Sequence, residues 1–196
     1  MRRISWLLST LIIPFFVQAQ EIKIVNKPIN YDSTRIKLSL QYLKERHNIV
    51  QNSVTISPIM VVLHWTAAKT MSSTFNAFNK PTLNGDRIAI AGASSLNVSS
   101  QFLIDRDGTI YRLMPENSFA RHVIGLNYCA IGVENVGSSN FPLTDAQLAA
   151  NEQLVRYLAK KYNIEIEETV SSDEDKLVAN EKESMYLVSE FASKYF

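Results

Sequence analysis

The sequence predicts an α/β domain, and three observations carry that prediction. Short apolar runs rich in strand formers occur at 59–65, 102–104 and 130–136. Apolar residues recur at helical spacing over 36–43 and again over 148–162. Between them, Asp105-Arg106-Asp107-Gly108 ends in the Asp-Gly pair that marks a tight hairpin. With 196 residues and 46% hydrophobic content, the chain suits one sizeable core and is too short for two comfortable domains.

The chain opens Met1-Arg2-Arg3, then an apolar stretch from Ile4 to Val17, then Val17-Gln18-Ala19 with compact residues where a signal peptidase reads. Residues 1–19 are therefore expected to be a signal peptide, removed from an exported protein that is periplasmic or secreted. Ser9, Thr10 and Pro14 interrupt the run, which falls short of the ~18 clean apolar residues of a membrane span. No stable membrane anchor is expected.

A helical lead-in follows over 20–56. Asp32, Ser33 and Thr34 offer caps, and Ile36, Leu40 and Leu43, widened by Leu38 and Tyr42, form the apolar face of a helix ending near Asn48. His47 falls in its last turn, where the helix dipole favours a solvated imidazole. The run Ile59 to Trp65, opened by Pro58, suits a fully buried central strand, with His64 near its C-terminal end. Ala67 to Phe78 suits a helix and 79–85 a loop. Phe102-Leu103-Ile104 and Thr109-Ile110-Tyr111 flank the hairpin turn, where Gly108 supplies a positive φ without steric cost.

Ala130 to Val136 forms the next strand. Thr144, three residues before Gln147, offers a capping box, and Leu148, Leu154, Leu158 and Tyr162 continue the stripe of the helix it starts. Beyond Asn163 the character changes: Glu165 to Asp175 is strongly acidic, a solvated face or loop, and 176–196 has the spacing of a last amphipathic helix.

Composition excludes some functions. Loss of Arg2 and Arg3 takes the formal net charge from +1 to −1, and the charges are well mixed, so no nucleic-acid partner is expected. Cys129 is the single cysteine and cannot form an internal disulfide. Before an apolar strand it reads as a buried inert thiol rather than a nucleophile. A monomer is expected.

Three residues carry candidate chemistry. His64 taken alone reads as a hydrogen-bonded histidine at a strand end, and Glu134 alone as a strand-end carboxylate facing water. His122 alone fits a surface loop, and Trp65 suits either packing or the wall of a cleft.

Together these residues resemble a family. Val61-Val62-Leu63-His64-Trp65-Thr66, the Ile104-Asp105-Arg106-Asp107-Gly108 hairpin, Ile131-Gly132-Val133-Glu134-Asn135-Val136-Gly137 and the Leu143-Thr144 helix start occur in order at compatible spacings. They resemble the zinc-dependent N-acetylmuramoyl-L-alanine amidases and the related peptidoglycan recognition proteins, over roughly 57–163. The resemblance implies a single domain with a mixed central β-sheet flanked by helices, spanning 57–196 and atypical after 163. It implies peptidoglycan or muropeptides as partner, and hydrolysis of the amide between N-acetylmuramic acid and L-alanine.

By that resemblance His64 matches the first zinc ligand, Glu134 the residue that activates the attacking water, and His122 a neighbour of the substrate cleft, with Arg121, Asn127 and Trp65 beside it. The family's later Gly-His motif has no counterpart, since His47, His64 and His122 are the only histidines. Val170-Ser171-Ser172-Asp173 stands in its place, which puts Ser172 at the ligand position or, with the register slipped by one, Asp173, whose carboxylate makes it the substitute metal ligand. Lys182-Glu183-Ser184 echoes the later lysine motif with serine in place of aspartate, and Gln101 stands where many relatives carry histidine. The alternative reading is a catalytically impaired peptidoglycan-binding relative without a complete zinc site.

Overall fold

A computed structural model of the chain describes residues 22–83 and 88–164. The five strands are β1 (Ile24–Asn26), β2 (Met60–Trp65), β3 (Phe102–Ile104), β4 (Ile110–Arg112) and β5 (Ala130–Asn135). They form one sheet in the order β1-β4-β3-β5-β2. Only β3 and β4 run antiparallel, joined by the hairpin, while β1–β4, β3–β5 and β5–β2 are parallel. The helices are α1 (Ser33–His47), α2 (Met71–Asn79), the single turn α3 (Ile88–Ala91) and α4 (Asp145–Tyr162). The sheet is thus mixed and flanked by helices, as the resemblance implies.

Local chemistry explains the boundaries. Asp32 caps α1 by accepting from the Arg35 amide, and Asn48 closes the helix in the left-handed region at φ 55°. In the hairpin, the Gly108 amide donates to Asp105 O, and Gly108 sits at φ +84°. The α4 capping box forms as expected: Thr144 accepts from the Gln147 amide, and the Gln147 side chain accepts from the Thr144 amide.

The two sheet faces bury different layers because side chains alternate along each strand. Leu63, Phe102, Ile104, Ile110, Ile131 and Val133 pack with Ala150, Leu154 and Leu158 of α4. Leu103 faces the other way and packs with Ile29, Phe78, Leu113, Met114, Ala120 and Val136. A third cluster joins Tyr42 and Leu43 of α1 to Ile56, Leu96 and Phe119.

Three expectations need correction. The strand expected to be central, β2, is an edge strand, and within it only Leu63 and His64 are buried. The buried stripe of α1 is Arg35, Ser39, Tyr42 and Leu43, with Ile36 turned outward. The reason is polar: Arg35 donates through Nη2 to Phe78 O and Lys80 O, and through Nε to Asn30 O, satisfying carbonyls that the end of α2 leaves open. His47 is only partly solvated: its ring lies tilted or edge-on among those of Tyr42, Phe119 and Tyr128, and burial lowers its pKa. Strand β1 arises from the lead-in, so residues before 57 share the same sheet. The expected signal peptide and the last amphipathic helix lie outside the described residues.

Candidate active site

The parallel pairing of β2 with β5 sets Met60 opposite Ala130 and, four residues on, His64 opposite Glu134. Paired residues of adjacent strands lie with their backbones about 4.8 Å apart and their side chains on one face. The imidazole and the carboxylate therefore share a face at the C-terminal ends of two neighbouring strands. His64 is buried and Glu134 partly buried.

His122, 58 residues further along the chain, joins them: its Nδ1 lies 3.0 Å from His64 Nε2, with the rings nearly perpendicular. The other nitrogen, Nε2, is 3.3 Å from Ala130 O. The ring occupies space that only glycine leaves free. A Cβ built on Gly132 would stand 2.7 Å from His122 Cγ and 2.8 Å from Cδ2. Burial lowers the pKa of His64 to about 4. Burial, with the neighbouring His64 adding to it, lowers that of His122 to about 3. Both imidazoles are neutral near pH 7.

A buried polar seam holds the strand ends beneath this pair. Asn135 Nδ2 donates to His64 O and to Asn151 Oδ1, while Asn151 Nδ2 donates back to Asn135 Oδ1 and to Gln147 O. Gln147 in turn donates to Ile104 O and Val136 O. On β5, the amide of Gly132 is taken by the buried Gln101 side chain, which also donates to Ser118 O. Gln101 thus braces backbone on two sides.

The other residues expected at the cleft are placed differently. Arg121 is buried and donates to Ile90 O, Ser94 O and Leu96 O, tying down the segment after α3. Asn127 is buried and its Oδ1 accepts from the amides of His122 and Val123, shaping the loop that carries His122. Trp65 lies on the opposite face from His64 and packs against the α4 cluster. Cys129 is buried, and burial raises its pKa, as suits an inert thiol. Sequence reasoning missed Asn135 and Asn151, and it missed the direct His64–His122 contact. The glycine of Ile131-Gly132-Val133 was the one signal of that contact, since glycine inside a strand often marks close approach of another group.

Zinc requires three protein donors besides the water it activates. Among the described residues no group of three His, Cys, Asp or Glu side chains comes together. His64 Nε2 is already engaged by His122. His64 is the expected metal donor that the described residues contain, and Asp173 lies outside the described residues.

The family model for N-acetylmuramoyl-L-alanine amidase matches residues 54–184. No curated protein matches the chain. Among solved structures, the endolysin amidase LysCS from Clostridium intestinale URNW is 29% identical, covering 72% of this chain and 76% of that one, with a TM-score of 0.46. PlyL is 17% identical over 73% of this chain and 76% of its own, with a TM-score of 0.50, a likeness of fold. AmpD is 25% identical over 55% and 66%, with a TM-score of 0.44.

Proposed function

Since the chain belongs to the N-acetylmuramoyl-L-alanine amidase family, we propose that it hydrolyses the amide joining N-acetylmuramic acid to L-alanine in peptidoglycan. The observation that carries this reading is the placement of Glu134 beside His64 at the ends of two paired strands, within the segment that the family model spans. Glu134 takes a proton from the attacking water as its oxygen bonds to the lactyl carbonyl carbon. It returns that proton to the departing alanine nitrogen as the C–N bond breaks. His64, neutral and buried, borders the same space. Family membership and the leader-like residues 1–19 support export to the compartment that holds the cell wall.

The second reading is a chain that binds peptidoglycan without cutting it. Incubation with purified peptidoglycan separates the two, assayed as purified and after dialysis against zinc. The amidase reading expects new L-alanine amino termini, released at least 100-fold more slowly by Glu134→Gln. Co-sedimentation with peptidoglycan without new amino termini supports the second reading.

A further inference from the structure

We propose that His122 is a positioning residue, seated on Gly132, that fixes His64 as the tautomer protonated on Nε2 and leaves the lone pair on His64 Nδ1. The functional consequence rests on the amidase reading, but the tautomer does not.

Ala130 O can only accept, so the contact to His122 Nε2 makes that nitrogen the protonated one. A neutral imidazole then has an acceptor at its other nitrogen, Nδ1. Across 3.0 Å that acceptor faces His64 Nε2, which must therefore donate. A backbone carbonyl, which cannot switch roles, thus sets the state of His64 through one intervening ring.

The seat of that ring is built from several elements. Gly132 lacks the Cβ that would strike the imidazole, and the Gln101 side chain holds the Gly132 amide. Asn127 fixes the His122 backbone from the far side of its loop. A substrate-contact role for His122 would require its nitrogens to face the cleft, whereas both are engaged within the protein.

Long-range 1H–15N correlation spectra of the imidazoles in the full chain test this. The expected result is an unprotonated Nδ1 on His64 in the native protein, a mixture of tautomers in His122→Phe, and restoration in His122→Gln, whose amide oxygen can accept. Gly132→Ala, which displaces the ring without removing it, should give the same mixture as His122→Phe. If native hydrolysis is measurable, His122→Phe should lower kcat 10–100-fold with little change in KM, and His122→Gln should recover most of it. A native His64 protonated on Nδ1, or a tautomer unchanged in both His122→Phe and Gly132→Ala, overturns the proposal. So does a rise in KM at constant kcat, which would mark His122 as a substrate contact. Absence of native hydrolysis with the tautomers as expected would instead overturn the amidase reading and leave the positioning role intact.

Discussion

His64 and His122 add an acid-sensitive contribution to the stability of the protein. Both have folded pKa values below the ordinary 6.5, so between pH 6.5 and about 4 the unfolded chain binds protons that the folded chain refuses. This contribution to stability falls as pH drops through that window, with His64 alone contributing on the order of 3 kcal/mol. Urea unfolding midpoints measured across that range should show the decline, and His122→Phe should flatten it; a midpoint unchanged through the window would contradict the buried neutral pair. The resemblance singled out His64 and Glu134, which the structure sets opposite each other on paired strands. The roles of Arg121 and Asn127 were not legible in the sequence, because a polar loop residue has the same spelling whether it faces a ligand or a buried carbonyl.

Elements were legible where short-range chemistry decides them. The Asp107-Gly108 hairpin and the Thr144–Gln147 capping box formed where the residues predict. Their relations in space were harder to read. An apolar run such as β2 reads as central, but both of its faces are partly covered even though it lies at the sheet edge. On α1 the buried stripe passes through Arg35, whose burial is explained by carbonyls of residues 30, 78 and 80 that no local pattern announces. The seam between α4 and the strand ends gives a test at this scale. Asn151→Ala would leave buried Asn135 without its paired amide, costing about 2–3 kcal/mol, and would loosen the support under His64. Thermal unfolding should register that loss, whereas a change within about 0.5 kcal/mol would mean that water or rearrangement replaces the pair.

Across the whole molecule, Glu116 joins the far end of α4 to the sheet. It accepts from Arg112, Lys161, Tyr157 and Tyr162 at distances of 2.7–3.2 Å. Burial opposes its charge, yet Lys161, Arg112 and Tyr162 more than offset this and hold its pKa below the ordinary value. Removing one member of a fully buried ion pair costs about 3–5 kcal/mol. Here Lys161 is 45% exposed and can return to water, so Glu116→Ala should cost less, about 2–3 kcal/mol by urea unfolding. The mixed sheet and its flanking helices were foreseen in the sequence, while this clasp depends on contacts between residues 45 positions apart. The family and the paired His64 and Glu134 converge on one reaction, and its most direct test is mass spectrometry of muramyl dipeptide incubated with the full chain. The expected products are separate N-acetylmuramic acid and a dipeptide with a free L-alanine amino terminus, lost in Glu134→Gln; intact muramyl dipeptide at every time point, with the folded protein bound to it, would contradict amidase activity.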